Sequence, residues 1–554
     1  MAQKEVTAPS IVDTGIEGPV NGAIADASAF NIGFPDPGAG NGLPDLALPG
    51  ETIRGNDVYG FTGDWDPTRP GDNNVRSQLD SGALHNTADG VITWGFLTQK
   101  HVTGVNNNPQ LGEGKGYSPF SAAQMAAARI AIANWDDLIA PKFVEVAPQP
   151  GARMWAQGQA DILLANTTTG PAQAWAYYPG YSNQYTRVAG DVWVASPSVN
   201  GSNAQLDPGF YGLQTLNHEL GHAIGLSHPG DYNFGDDNDG DGDPDPITYE
   251  GDAFYFQDNH QYSIMSYFDT FEAGNNQVDW NLMRFVYPST PMVDDIRVAQ
   301  AKYGADMTTR TGDTTYGFHS TGDVTNAAMK FVNGEMLSIF TIWDAGGTDT
   351  LDLSGYRTGS VIDLREGAYS SAGGLGAYAA APDPLTDPAA YLAFVNANNA
   401  ANGLGARTAA YDLYFGGRAG ANEGIPWFEI MGEDTLMENN IGIAYGAVIE
   451  NAIGGAGNDQ INGNQAANRF TGNGGADVFV IARYGADDTS VDTITDFQTG
   501  VDKIDLAAFG AGVNWSKVSV VGTVVQVDTD AVAGYDLTLN VLGSVPVQGD
   551  FVFG

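Results

Sequence analysis

Three of the chain's seven histidines fall within eleven positions of the stretch NHELGHAIGLSHPG, Asn217 to Gly230, and a glutamate sits between the first two. His218 and His222 are four residues apart, so on a helix both imidazoles project from one face and can hold a single zinc ion. Gly225 lets the backbone reverse sharply, which brings His228 back as a third ligand. Three histidines leave zinc with open positions, as a catalytic centre requires. Bound zinc lowers the pKa of its water from 15.7 to about 7, and Glu219, beside the first ligand, is placed to take that water's proton and pass it to a departing amine. The reaction implied is peptide-bond hydrolysis. A purely structural zinc gives Glu219 no role, which leaves histidines acting only as polar groups of a helix as the competing reading.

A helix from about Tyr211 to Ile224 must carry this site, stopping at Gly225, which suits the left-handed position after a helix. Upstream, SAAQMAAARIAIANWDDLI has Ser121 and Gln124 at capping-box spacing, and Met125, Ala128, Ile132, Trp135 and Ile139 recur every three or four residues, so a second amphipathic helix is predicted. GVITWGFL (Gly90 to Leu97), KFVEV (Lys142 to Val146), ADILLA (Ala160 to Ala165) and GDVWVA (Gly190 to Ala195) read as short strands. Helices and strands mixed in this order describe an α/β or α+β domain.

At 554 residues the chain is too long for one ordinary core, so at least two domains are expected. Its 66 acidic against 23 basic residues give a formal charge of -43, which repels nucleic acid and anionic membrane surfaces. Much of the carboxylate is Asp beside Gly or Asn; such oxygen-rich clusters suit calcium, and a solvated acidic surface is the alternative. No cysteine is present, so disulfides and thiolate metal sites are excluded and metal ions are the available staples. The N-terminus lacks the pattern of a secretory signal, and no apolar run reaches the length of a membrane helix, so no membrane insertion is expected. The protein is then cytoplasmic or exported by a route that does not read the N-terminus.

Residues up to about Asn73 are rich in Gly, Pro and Asp with little periodicity and read as an extension or pro-segment. Beyond about Val293, Gly, Asn and Asp punctuate short apolar alternations. A nine-residue repeat starts at Gly454, Gly463 and Gly472, matching the pattern in which a calcium-binding turn alternates with a short strand to build a parallel β-roll. An Ala-, Gly- and Asn-rich segment between Gly359 and Asn440 fits no such register and reads as an insertion. In DDNDGDGDPDP, directly after the zinc loop, Asp237, Asp239, Asp241 and Gly242 obey the opening half of an EF-hand loop, but Thr248 stands where its bidentate glutamate belongs. A calcium site and a solvated acidic loop both fit these residues.

His218, Glu219, His222, Gly225 and His228 together form the signature of the metzincin metallopeptidases, and SIMSY (Ser263 to Tyr267) supplies the methionine turn of that family in Met265. The serine and tyrosine after that methionine, with LSHPGDYN, resemble the serralysin branch. TTRTGDTTYGF, TIWDAGGTDTLDLSGY, IAYGAVIENAIGGAGND and DFQTGVDKIDL also resemble segments of serralysin β-rolls. The resemblance covers most of Leu79 to Gly554 and implies a secreted zinc endopeptidase. Its fold would be an α+β metzincin zinc-peptidase domain (76–293) followed by an all-β calcium-binding parallel β-roll domain (294–554), interrupted at about 360–440 and preceded by the 1–75 extension. By the same resemblance Tyr267 is a further zinc ligand that swings away to stabilise the oxyanion. Calcium would be held by Arg310, Gly312 and Thr314 with Asp344, Gly346, Gly347 and Asp349, by Glu450, and by Gly455, Gly457 and Asp459. Asp477 serves the third repeat turn; in the second, Asn468 replaces the usual Asp and Ala466 a glycine, so that site should be weaker or rely on carbonyls.

The resemblance further implies one catalytic zinc, several structural calcium ions, protein or peptide substrates and a proteinaceous inhibitor as a candidate partner. It also implies export from a Gram-negative bacterium through a type I ABC transporter that reads the C-terminal end, here GDFVFG. The rival from another class is a non-catalytic calcium-binding surface or adhesion protein carrying a relic protease domain.

Overall fold

A computed structural model describes residues 79–97, 115–147, 160–169, 172–179, 189–230, 232–233, 245–253, 257–270, 275–332, 337–374, 382, 387–401, 404–407, 436–483, 489–530 and 534–554. The extension read as a pro-segment and the acidic loop with Asp237, Asp239 and Asp241 lie outside the described residues. The chain divides into two compact units. The first runs to Gly274 and adds Tyr287–Asp306 and Gly417–Asn422; the second holds Asn275–Val286, Met307–Gly416 and Glu423–Gly554.

In the first unit a five-stranded sheet is built from β1 (Val91–Phe96), β2 (Lys142–Glu145), β3 (Ile162–Thr167), β4 (Ala174–Ala176) and β5 (Val192–Ala195), in the order β2-β1-β3-β5-β4. All pairings are parallel except β4 against β5. β3, β4 and β5 are buried throughout, so they read as unbroken apolar runs rather than as alternations. Trp175 and Trp193, with Leu97, Leu163, Ala165 and Tyr177, fill one cluster against the sheet.

α1 (Ala122–Asp136) starts where the capping box places it: the Ser121 side chain accepts from Gln124 N while the Gln124 side chain accepts from Ser121 N. Its buried face is Gln124, Ala127, Ala128, Ala131, Ile132, Asn134 and Trp135; Met125 is only half-buried and Ile139 lies beyond the helix end. That face packs on α2 (Tyr211–Ala223), which is buried along its whole length. Trp135 Nε1 donates to Asn217 O (3.1 Å) and Asn134 Nδ2 to Asn217 Oδ1 (2.9 Å), locking the register of the two helices just before the first histidine. The first unit continues past 293, the boundary expected from the sequence, because Val293–Tyr303 forms a further helix, α3, within it and the unit ends at Asp306.

Many strands of the second unit are only three residues long. Asn451–Ile453 pairs in parallel with Arg469–Thr471, and Gln460–Asn462 with Val478–Val480, each eighteen residues apart. Consecutive nonapeptides therefore alternate between an eight-stranded and a five-stranded sheet. The central residue of each three-residue strand, such as Leu351, Ala452, Ile461, Phe470, Phe479 and Ile504, is buried, so the apolar ladders form the interior. Two strands fall inside the stretch read as an insertion: Val361–Asp363 pairs with Gln460–Asn462, and Tyr369–Ser370 with Ile441–Ile443. Farther along, helix α4 (Pro388–Ala401) and Arg407 beyond it are fastened to the 275–286 segment: the Tyr391 hydroxyl donates to Trp280 O (2.6 Å), Asn398 Nδ2 to Asn281 O (3.2 Å) and Arg407 Nη2 to Met283 O (2.7 Å).

Candidate metal centre

α2 places His218 and His222 one turn apart, and the turn after it returns His228 to the same point. His218 Nε2 lies 3.1 Å from His222 Nε2, which lies 3.0 Å from His228 Nε2. Each ring is oriented through its other nitrogen: His218 Nδ1 donates to Ile264 O (2.7 Å), His222 Nδ1 to Leu226 O (2.8 Å) and His228 Nδ1 to Tyr232 O (2.9 Å). With the Nδ1 protons committed to carbonyls, the three Nε2 atoms all present lone pairs to one point, which is the tautomer a cation needs. The rings are buried; burial first, then the charges of His228 and His218, hold His222 well below the usual histidine pKa, so the cluster favours neutral imidazoles. Among the described residues this is the one group of three or more His, Cys, Asp or Glu whose donor atoms converge on a common point. Buried neutral imidazoles with converging lone pairs fit zinc.

Gly225 makes the return possible. Its φ of +98° is open to glycine, and a Cβ there would collide with the Ala83 carbonyl. The segment 79–83 runs directly over this turn: Ser81 N and Oγ donate to Gly225 O (3.2 and 2.6 Å), and Ser227 N donates to Leu79 O (2.8 Å). His85 Nε2 donates to Ala223 O (2.8 Å), and Lys302 of α3 pairs with Asp80.

Glu219 follows His218 on α2 and is fully buried. Tyr267 is buried with its ring centroid 4.5 Å from that of His228 and 6.2 Å from that of His218. Met265 lies under α2, where a Cβ on Gly221 would run into its sulfur. Tyr178, just past β4, meets His222 edge-on at 5.9 Å.

Three residues without a sequence signal shape the site. Asp295 on α3 accepts from Ser263 Oγ (2.7 Å), Ile264 N (2.7 Å) and Met292 N (2.8 Å), so it fixes Ile264, the residue whose carbonyl accepts from His218 Nδ1. Burial pushes its carboxyl up to about 6 despite those donors. Asp258 accepts from the Tyr232 hydroxyl (2.8 Å) and Ser266 Oγ (2.7 Å), and burial lifts it to about 7. Tyr232 stacks on His228 at 5.4 Å and 13°. No spacing rule singles out an isolated Asp or Tyr, and LSHPGDYN was the nearest pointer.

In the second unit the residues nominated for calcium gather in neighbouring turns. Thr314 N donates to Asp349 Oδ1 (2.7 Å), Asp349 N to Glu450 Oε2 (2.7 Å) and Gly346 N to Asp344 Oδ1 (2.9 Å), while Gly347 leaves room only for hydrogen against the Gly312 carbonyl. Arg310, with φ +45°, donates through Nη2 to Trp343 O (2.6 Å). Gly455 N donates to Asp459 Oδ2 (2.7 Å), Asp459 N to Asp477 Oδ1 (2.9 Å), and Gly457 abuts the backbone of Gly359. Burial, with like charges beside them, raises Asp349 and Asp459 to about 7 and Asp477 to about 6. Asn468 is engaged differently: its Nδ2 donates to Glu450 O (3.1 Å) and Asn464 Oδ1 (2.8 Å), which places hydrogen-bond donors where a ligand would offer oxygen.

Residues 305–382 and 431–552 match the Peptidase M10 serralysin C-terminal family. The chain is 35% identical over 468 residues to Metallopeptidase AprA of Pseudomonas marginalis, covering 79% of this chain and 78% of that protein. It is 31% identical over 494 residues to Serralysin A of Dickeya chrysanthemi (82% and 84%) and 34% identical over 459 residues to Metalloprotease AprA of Pseudomonas entomophila (78% and 76%). Together with three converging histidines that could hold a cation, these relatives define a metallopeptidase. More narrowly, the chain belongs to the serralysin family.

Proposed function

We propose that the protein is a secreted, calcium-stabilised zinc endopeptidase with the metzincin arrangement in its first unit and a β-roll in its second. The observation that carries this reading is the convergence of three buried Nε2 atoms whose Nδ1 partners fix them as acceptors. Zinc held by His218, His222 and His228, with Tyr267 as a further ligand, would supply Lewis acidity, acidifying water and polarising a substrate carbonyl. Glu219 then takes the proton of the attacking water and delivers it to the amine that leaves as the C–N bond breaks. The Tyr267 hydroxyl, released toward the substrate, donates to the oxyanion. Calcium would be held by Asp344, Asp349, Glu450, Asp459 and Asp477, with carbonyls of the adjoining Arg310–Thr314, Gly346–Gly347 and Gly455–Gly457 turns, and would supply positive charge among these clustered carboxylates. Substrates are proteins or peptides, and export follows the type I route.

Casein digestion by the wild-type protein and by Glu219→Ala tests the catalytic part. Cleavage by wild type alone is expected, with one zinc per chain retained in both. Equal cleavage by the variant removes Glu219 from the reaction, and cleavage by neither favours the surface-protein alternative.

A further inference from the structure

Asp258 lies on none of the elements that carry the histidines, yet its Oδ1 ties two of the site's surroundings together. It accepts from the Tyr232 hydroxyl at 2.8 Å and from Ser266 Oγ at 2.7 Å. Tyr232 gives its carbonyl to His228 Nδ1 at 2.9 Å and its ring face to the His228 imidazole. Ser266 immediately precedes Tyr267, whose backbone N reaches the Tyr232 hydroxyl at 3.4 Å and whose ring lies 5.0 Å from that of Tyr232. A single buried carboxylate oxygen thus spans the loop that presents the third histidine and the turn that presents the tyrosine.

We infer that Asp258 is a positioning residue for the metal centre, acting through Tyr232 on His228 and through Ser266 on Tyr267. The inference rests on the zinc reading above. Orientation of a ligand histidine by hydrogen bonds around it commonly changes metal affinity by about 10- to 100-fold. Here the link is one step longer, because the carboxylate fixes the tyrosine whose peptide orients the ring. The carboxylate is buried at 0% exposure, so bulk solvent does not reach the two hydroxyls it accepts from. Two hydroxyl donors then lose their acceptor together, and the His228 loop loses its anchor to the methionine turn. Of the other two histidines, His218 is oriented by the carbonyl of Ile264, the residue that Asp295 fixes, and His222 by Leu226 O. Asp258 therefore acts on the third ligand and the tyrosine rather than on the site as a whole.

The test is zinc release from the full-length, calcium-saturated protein into a chromogenic chelator, for wild type, Asp258→Ala, Asp258→Asn, Tyr232→Phe and the Asp258→Ala/Tyr232→Phe pair. Asp294→Asn serves as the control, a buried carboxylate of the same unit on α3. Asp258→Ala and Tyr232→Phe should each release zinc about tenfold faster, and the pair no faster than Asp258→Ala alone, because both break one linkage. Asp258→Asn keeps the accepting oxygen and should stay within about threefold of wild type. The cobalt-substituted protein adds a readout that plain destabilisation does not move: the ligand-field bands should shift in Tyr232→Phe at unchanged melting temperature. Wild-type release rates in Asp258→Ala, additive effects in the pair, or an equal acceleration in Asp294→Asn would overturn the inference. Failure of wild type to bind zinc at all would instead overturn the reading beneath it.

Discussion

Replacing Gly225 by alanine isolates the turn that closes the metal centre. Two costs follow from its geometry. At φ +98° a side chain strains the backbone by about 1–2 kcal/mol. The new Cβ also strikes the Ala83 carbonyl, so the 79–83 segment must lift away from the turn. That strains the bonds from Ser81 N and Oγ to Gly225 O and from Ser227 N to Leu79 O; losing two of them costs roughly 2 kcal/mol. The sum is about 3–4 kcal/mol, or a fall of about 10 °C in the melting of a unit this size. Because Leu226 O accepts the His222 Nδ1 proton, zinc should also be released faster. The assay is calorimetry of the calcium-saturated protein with parallel zinc-release kinetics. Gly225→Asn, which tolerates positive φ but carries the same Cβ, should recover only the backbone part, roughly 1 kcal/mol. Melting of Gly225→Ala within about 2 °C of wild type would refute the reasoning, and full recovery by asparagine would refute the steric part.

Further predictions concern the second unit. Asp349, Asp459 and Asp477 are raised to about 7, 7 and 6 from an unfolded value near 3.9, so the metal-free fold prefers their protonated forms. Their contribution is present below about pH 4 and lost as the pH rises through 6–7; chelator-treated protein should unfold at lower temperature at pH 8 than at pH 5, and calcium should reverse the order. A metal-free midpoint that rises from pH 5 to pH 8 would contradict this. Asn468→Asp replaces the donating amide with a carboxylate facing Glu450 O and Asn464 Oδ1, so titration calorimetry should count one more calcium ion per chain, with lower stability before calcium is added. An unchanged count would mean that the second turn lacks the remaining ligands.

Much of the site was legible because its parts repeat at fixed intervals. The four-residue step from His218 to His222 needs only helix geometry, Gly225 only its freedom at positive φ, and the Ser121–Gln124 box names the start of α1 directly. The nine-residue period likewise revealed strands too short to show an alternation of their own. Other features had no local pattern. β4 is three residues long, and its place at the sheet edge depends on pairing with β5. Asp258, Asp295 and Tyr232 matter because of what the chain brings to them from 8 to 32 positions away, and no spacing encodes that. The 361–363 strand carries no local signal because its partner lies about a hundred residues later, beyond the interruption.

Anomalous diffraction from crystals of the full-length protein, recorded on both sides of the zinc absorption edge, examines the metal centre itself. One strong peak is predicted at about 2.0–2.1 Å from Nε2 of each of His218, His222 and His228. A zinc peak elsewhere, or none at the three histidines in protein that digests casein, would contradict the proposed chemistry.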